Sequence, residues 1–437
     1  MITRRVKMAE NQVVEKLIQL IGEGTSPYHV TAGIERQFQK AGYERLLLPQ
    51  PWNLEEGGAY YTVIQGSTLI AFSVGERMQA DHFRIAAAHT DFPGLRLKQR
   101  PELVRNGYAQ LNAEVYGGAI LHTWLDRPLS VSGRVSLRSE DMFHPVTRLV
   151  DFEKPMFVIP NLAIHLNREV NKGTELNRQK EMLPLAGISG AKMGGQYFRK
   201  LLAEKLEVEE EAILDYELGL YNRDQPEYVG FDEKSLYLSA PRIDNLSGVQ
   251  AVISGMVHGR RDGINVAAFF DHEEVGSRTK QGAGSQILSM VLEKIMHGLG
   301  AGRMEYLESL PESMFLSVDV GHAYHPNYPE KMDLTNQSPL NHGFCIKEAC
   351  AQSYATDSRA IAVIQQICKQ EKLPYTKYFN RSDGSSGGTL GSIASAMVPV
   401  PTVDVGIPVL AMHSARELMG VEDERALSEM IRAYYTL

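Results

Sequence analysis

The amino-acid sequence predicts an α/β protein in which a mainly parallel sheet is sandwiched by helices and interrupted by an inserted β-rich domain. Short apolar runs alternate with helical patterns in the first and last parts of the chain. Between them, turn-rich segments with strand-like pieces replace this alternation. The length of 437 residues also exceeds the size at which a single hydrophobic core usually stops growing and a chain divides into domains. We therefore predict an outer domain formed by residues 1–93 and 241–437, and an inserted domain formed by residues 94–240.

The first helix shows the pattern on which the helices are predicted. Val14, Leu17 and Ile21 recur at helical spacing, and Gly22 ends the run. The strands are short apolar runs bounded by turn residues. On this basis the outer domain contains helices at residues 11–22, 30–41, 247–256, 286–296, 361–371 and 426–435, and strands at 68–72, 84–88, 266–270, 314–318 and 402–405.

The inserted domain lacks this alternation. Residues 113–116, 129–136 and 156–159 are typical of strands, and a charged helical stretch follows them. Domain boundaries taken from one sequence are accurate to several residues only.

Composition and charge exclude several classes of function. The chain carries 45 basic and 53 acidic residues, and no basic stripe is interleaved with aromatic residues, so we expect no nucleic-acid partner. No apolar run approaches the roughly 20 residues that span a bilayer, so we expect no membrane insertion. The first residues lack the apolar core of a signal peptide. Three cysteines without metal-binding spacing fit a reducing compartment, so we predict a cytoplasmic protein.

Polar groups directly follow three of the predicted strands. His89 follows residues 84–88, the run 271–274 follows residues 266–270, and Asp319 follows residues 314–318. In an open α/β sheet, ligands bind at the carboxyl ends of the strands, so these groups are expected to converge. With Asp244 and His413 they supply imidazoles and carboxylates, the ligands that a pair of zinc-like cations requires to generate hydroxide at neutral pH. The sequence therefore predicts a two-metal hydrolase, and a metallopeptidase in particular.

The individual motifs have simpler explanations when each is taken alone. Asp244 could cap the helix that begins near Ser247, and by itself this is the better explanation. Asp91, two residues after His89 in extended chain, lies on the same face and can orient the imidazole. Glu273 and Glu274 point different ways in non-helical chain, so that one can bind a metal while the other faces a substrate.

Seven motifs in order along the chain resemble the aspartyl aminopeptidase family. Together they cover nearly the whole sequence, and they are His89–Pro93, Tyr116–Gly118, His122–Leu129, Ile159–His165, Asp271–Ser277, His322–Asn327 and Met412–Glu417. The resemblance implies a catalytic α/β domain interrupted by a β-rich dimerisation domain. It also implies dimers assembled into a tetrahedral homododecamer that encloses the active sites.

The resemblance assigns a metal ligand to each of five positions. One metal is held by His89 and Asp319, the second by Glu274 and His413, and Asp244 bridges the two. Two divalent cations carry four positive charges, three carboxylates offset three of them, and a bridging hydroxide brings the cluster near neutrality. The mixed ligand set favours zinc, with cobalt or manganese as alternatives, over calcium or magnesium.

The resemblance also makes Glu273 the general acid and base that takes a proton from water and returns it to the departing amine. It further implies a cis peptide bond between Asp244 and Asn245.

For the substrate, the resemblance points to His322, Lys347 and Tyr354, with His165 contributed by a neighbouring subunit. A lysine in the first side-chain pocket favours short peptides that begin with Asp or Glu. Without the family context, a surface ion pair explains Lys347 equally well. Phe92, Gly94 and the loop at residues 382–388 depart from the usual family pattern, which leaves a preference for neutral residues as an alternative.

Two further alternatives come from other classes of protein. A dinuclear deacylase or carboxypeptidase would need an anion clamp for a free carboxylate and would accept blocked amino termini. An inert shell protein would be expected to have lost a metal ligand or the general base, yet all six residues are present here.

Overall fold

The computed structural model describes residues 12–76, 82–188, 196–231, 236–259, 263–384 and 387–436. The chain forms two compact units. The first consists of Met1–Phe92, Pro226–Met412 and Glu417–Leu437, and the second of Pro93–Gln225 and His413–Arg416. Asn11 of the first predicted helix, and Ser385 and Ser386 of the loop at 382–388, lie outside the described residues.

A nine-stranded sheet forms the centre of the first unit. Its strands, in spatial order, are β1 (Glu44–Arg45), β2 (Ala59–Ile64), β3 (Thr68–Val74), β13 (Ile264–Phe270), β4 (Phe83–His89), β14 (Met314–Val318), β18 (Thr402–Gly406), β16 (Phe344–Glu348) and β17 (Tyr375–Phe379). The neighbours β13, β4, β14 and β18 run parallel, whereas β3 against β13 and β18 against β16 are antiparallel. The predicted α/β class with a mainly parallel sheet is thereby confirmed.

Helices cover both faces of this sheet. They are α1 (Gln12–Glu23), α2 (Pro27–Lys40), α4 (Ile243–His258), α5 (Ile287–Gly298), α6 (Arg303–Ser309), α7 (Ser358–Glu371), α8 (Leu390–Met397) and α9 (Val421–Thr436). Alternate residues of β4 pack into two different cores, since Ala86 and Ala88 join one cluster while Ile85 and Ala87 join the other. A strand buried on both faces is expected to be apolar throughout, which is why β4 follows no polar alternation.

A second, five-stranded sheet in the first unit consists of short strands. In spatial order they are β11 (Glu227–Val229), β12 (Tyr237–Ala240), β20 (Glu417–Gly420), β19 (Pro408–Leu410) and β15 (Gly321–His322). Residues 226–240, which the sequence placed in the inserted domain, contribute β11 and β12 to this sheet. The pairing of β12 with β20 ties them to the strand that precedes α9.

The second unit is built on a six-stranded antiparallel sheet. Its strands, in spatial order, are β8 (Val146–Asp151), β7 (Leu129–Leu137), β10 (Ile213–Asn222), β5 (Gly94–Arg105), β6 (Tyr108–Tyr116) and β9 (Leu185–Ile188), and its helix is α3 (Tyr197–Leu206). Phe198 and Leu202 of α3 pack with Val131 and Leu220 of the sheet in one apolar core. Among the described residues, no helix is long and apolar enough to cross a membrane.

Candidate metal centre

His89 is the last residue of β4 and is buried, with 1% of its surface exposed. Its Nδ1 atom lies 3.0 Å from the backbone carbonyl oxygen of Asp91. An Nδ1–H that donates to this carbonyl leaves Nε2 with its lone pair free for a metal. That Nε2 atom lies 3.4 Å from an oxygen of Asp244 and 3.4 Å from an oxygen of Asp319. The ring is therefore aimed at two carboxylates that come from distant parts of the chain.

Asp91 connects this histidine to the turn after β13. Its two carboxylate oxygens accept hydrogen bonds from the backbone N–H groups of Glu273, at 3.0 Å, and Glu274, at 3.1 Å. One of these oxygens also lies 3.4 Å from Nδ1 of His89. The sequence predicted only that Asp91 orients the imidazole. The structure adds a second contact set, in which Asp91 holds the backbone that carries the proposed base.

Glu273 and Glu274 lie in a single 3-10 turn, Glu273–Val275, which is separated from the end of β13 by two residues. His272 before the turn and Gly276 after it both have positive φ, so the chain reverses sharply on either side. Such values are rare for a residue with a side chain, which makes His272 a strained position. The turn brings Oε2 of Glu273 to 4.0 Å from Nε2 of His89.

Asp244 lies in the first turn of α4, where its backbone angles are not helical. Its N–H donates to Glu417 Oε2 at 3.0 Å, and the next side chain, Asn245, donates to the carbonyl of Val318 at 2.8 Å. The peptide bond between Asp244 and Asn245 is cis, as the resemblance implied. Glu417 was not predicted as a site residue, although it closes the motif Met412–Glu417.

Burial perturbs the protonation equilibria of the carboxylates in this centre. It raises the pKa of Glu273 to about 8, and nearby Asp319 adds to the rise while His89 opposes it. Burial, followed by the charge of Asp244, raises the pKa of Glu274 well above its usual range. A buried group of like charges is costly unless cations compensate it. The centre therefore has the electrostatic character of a cation site.

The distances fit zinc. Ligand atoms around a tetrahedral zinc with bonds of 2.0–2.1 Å lie about 3.3 Å from one another. The two separations of 3.4 Å from His89 Nε2 match this spacing. The ligand atoms of His89, Asp244 and Asp319 all lie within 4.8 Å of one another, and so do those of His89, Glu273 and Glu274. Nitrogen and oxygen donors in this arrangement suit a zinc-like cation.

Of the three residues of the first unit that the resemblance places around the substrate, two are buried and one is exposed. Lys347 is completely buried, which excludes the alternative of a surface ion pair, and its Nζ donates to the carbonyls of Asp319 at 2.8 Å and Val320 at 3.1 Å. Tyr354 is buried with its ring centroid 5.2 Å from that Nζ. His322 is exposed on β15.

The other two histidines belong to the second unit. His165 lies in a loop whose apolar neighbours Leu162, Ile164 and Leu166 are also exposed. His413 has positive φ, and its Nδ1 lies 3.3 Å from the carbonyl oxygen of Gly118. Their roles in the site stay predictions.

An imidazole and several buried carboxylates gathered beyond the ends of parallel strands are typical of a metal-dependent hydrolase. Comparison with known proteins then gives the family. The sequence matches the family described as aminopeptidase I zinc metalloprotease (M18) over residues 20–435. The chain belongs to this M18 family and is a zinc-dependent aminopeptidase, which confirms the predicted enzyme class.

Similar proteins span almost the whole chain. A probable M18 family aminopeptidase 2 from Clostridium novyi (strain NT) is 40% identical over 426 residues, which cover 97% of this chain and 98% of that protein. The solved structure described as the Ape4 and Nbr1 complex has a TM-score of 0.92 at 30% identity and covers 98% of this chain and 86% of that chain. The S. cerevesiae mApe1 dodecamer has a TM-score of 0.83 at 22% identity, with 98% and 97% covered, and shows the shared fold.

Proposed function

We propose that this aminopeptidase holds two zinc ions and removes the first residue of short peptides, with Glu273 as general base and acid. The observation that carries the proposal is the position of His89 Nε2 at 3.4 Å from both Asp244 and Asp319. In this proposal His89 and Asp319 would hold one ion, Glu274 and His413 would hold the second, and Asp244 would serve as a ligand shared by both.

The proposed mechanism divides the work between the metal ions and the protein. When bound, the zinc ions would polarise the carbonyl of the first peptide bond and lower the pKa of a water molecule. Glu273 accepts the proton of that water as the water oxygen bonds to the carbonyl carbon, and it delivers the proton to the amine nitrogen as the carbon–nitrogen bond breaks. The Glu273 carboxylate, whose Oε2 lies 4.0 Å from Nε2 of His89, lies beside the proposed metal site, where it can hold this proton between the two steps. Asp91 keeps the Glu273 backbone fixed throughout.

The substrates that we propose first are peptides that begin with Asp or Glu. Lys347 carries a positive charge, and its Nζ lies 4.0 Å from the carboxylate of Asp319. The ring of Tyr354 packs beside this Nζ. His322 and, from a neighbouring subunit, His165 complete the proposed pocket. An acidic side chain would gain charge-assisted hydrogen bonds there.

A preference for neutral first residues is the second candidate, because Lys347 is fully buried and two of its three N–H groups already bind carbonyls. Profiling of amino-terminal residues with Lys347→Met as the variant separates the two candidates. If Lys347 contacts the substrate, kcat/KM falls far more for Asp and Glu substrates than for Leu substrates. An equal fall for all substrates would favour the second candidate.

We further propose that the enzyme works as a tetrahedral homododecamer built from dimers, in the cytoplasm. The exposed apolar side chains of Leu162, Ile164 and Leu166 around His165 support packing of this loop against another copy. The described residues include three free cysteines, Cys345, Cys350 and Cys368, which suit a reducing compartment.

The experiment that tests the mechanism is the Glu273→Gln variant, with Glu308→Gln as an exposed control on α6. We expect Glu273→Gln to retain two zinc ions per chain and to lose at least a hundredfold in kcat. The control should keep full activity. Unchanged peptide hydrolysis by Glu273→Gln would remove Glu273 as the base, and equal hydrolysis of peptides with blocked amino termini would favour a deacylase.

A further inference from the structure

Three neighbouring strands present a row of buried polar side chains beneath the proposed metal centre. Asp404 on β18 lies opposite Ser317 of β14 on one side and opposite Lys347 of β16 on the other. Residues directly opposite each other point to the same face of a sheet. Asp404, Ser317 and Lys347 are all completely buried. Asp319, the proposed zinc ligand, lies two residues beyond Ser317 and extends this row.

Asp404 is held firmly in place. One carboxylate oxygen accepts the hydroxyl of Thr389 at 2.5 Å, and the other accepts the N–H of Ala355 at 2.7 Å. Its own N–H donates to the hydroxyl of Thr356 at 2.9 Å. A methyl group on Gly391 would lie 2.9 Å from a carboxylate oxygen of Asp404, so the start of α8 packs closely on it. A carboxylate fixed in this way cannot rotate to solvent.

Lys347 connects this row of side chains to the proposed metal centre. Its Nζ binds the backbone carbonyls of Asp319 and Val320 and lies 4.0 Å from the Asp319 carboxylate. Asp404 lies directly opposite Lys347 in the pairing of β18 with β16, and both side chains are completely buried, so an ammonium group there requires a carboxylate beside it. A charged ammonium so close to a metal ligand would repel a divalent cation unless another charge compensated it.

We propose that Asp404 is a positioning residue that neutralises Lys347, and that this allows Asp319 to bind its zinc ion tightly while Lys347 holds the Asp319 backbone. The inference rests on the proposed role of Asp319 as a zinc ligand. It applies whichever amino-terminal residue the enzyme prefers. Nothing in the sequence pattern marked Asp404, which lies inside the apolar run of β18.

The test measures zinc affinity by competition with a chromophoric chelator, on the full-length protein. We expect Asp404→Asn to lower the binding affinity for one of the two zinc ions by about 10- to 100-fold, as is typical for loss of a group that supports a metal ligand. Thr389→Val, which removes a hydrogen bond of Asp404 but keeps its charge, should change the affinity by less than about threefold. Unchanged affinity in Asp404→Asn would overturn the inference.

The combination with Lys347→Met tests whether Asp404 acts through the lysine. In the Lys347→Met background, Asp404→Asn should leave zinc affinity unaltered, because no ammonium remains to be neutralised. An equally large effect in both backgrounds would overturn the inference. If Asp404→Asn fails to fold, folding of the double variant supports the pairing of the two charges, and failure of both contradicts it.

A reference variant separates this inference from the proposed function. Asp319→Asn should lose one zinc ion if Asp319 is a ligand. Retention of both ions by Asp319→Asn would contradict the proposed ligand set itself. Loss of one ion in Asp319→Asn, together with unchanged affinity in Asp404→Asn, would remove only the role of Asp404.

Discussion

The substitution Asp91→Asn tests whether the turn that carries Glu273 is held by a carboxylate. Asp91 is completely buried and accepts two backbone N–H groups, one on each oxygen. Asparagine has nearly the same shape but offers one oxygen, and its amide group would face the other N–H donor. The variant therefore loses one charge-assisted hydrogen bond of about 1.5–3 kcal/mol. The imidazole of His89 keeps its contact with the Asp91 backbone carbonyl, which the substitution does not remove.

If about 2 kcal/mol of this loss appears as a displaced base in the transition state, kcat/KM falls by about thirtyfold. The assay is hydrolysis of an aminoacyl p-nitroanilide at saturating zinc, together with zinc affinity measured by chelator competition. We expect the larger effect on kcat and a smaller one on zinc affinity, because the contact with His89 remains. A fall of less than threefold in kcat/KM would show that Asp91 does not fix the turn. A loss of zinc with unchanged kcat for the loaded enzyme would assign Asp91 to the histidine alone.

Three further outcomes are expected. The variant His413→Ala should bind one zinc ion per chain instead of two, by atomic absorption, and two ions in this variant would remove His413 from the ligand set. Leu166→Lys should reduce the assembly to smaller species in light scattering if its loop packs on another copy, and an unchanged mass would contradict this. Glu424 is fully buried, and among the described residues neither of its carboxylate oxygens has a hydrogen-bond partner. Burial raises the pKa of Glu424 well above the usual range, so the folded state favours the protonated carboxyl group. The stability that the protonated form contributes is fully present below about pH 4, and it is lost as the pH rises through the folded-state pKa. Glu424→Met should therefore stabilise the fold by about 1–3 kcal/mol at pH 8 and by less at pH 4, measured by thermal unfolding; an equal gain at both values would contradict this.

The sequence was informative where an apolar strand ends in a polar group. The predicted strand at 84–88 corresponds to β4, and the strand at 266–270 to β13, each within two residues at either end. Both are buried on two faces, and residues 85–88 and 266–270 within them are continuous apolar runs. The residues just after them, His89 and Glu273, approach to 4.0 Å in the structure. Convergence at the strand ends followed from the fold class alone.

The sequence was least informative for short strands and for polar groups inside the core. β15 has two residues and β19 has three, too few to show any periodic pattern, so the five-stranded sheet was not predicted. Asp404 lies within an apolar strand, and its partners come from segments that only the folded chain brings together. The surroundings of Lys347 depend in the same way on tertiary structure, because its ammonium binds the backbone of another strand.

The chemistry proposed for this protein depends on one register in the central sheet. β4 and β13 are parallel, with His89 opposite Phe270. This pairing places Asp91, two residues beyond His89, level with the N–H groups of the turn after β13. A slip of one residue would exchange the two buried faces of β4, so that Ala86 and Ile85 would change cores. The packing of two apolar cores, which involves no catalytic residue, therefore fixes the distance between the histidine and the glutamate.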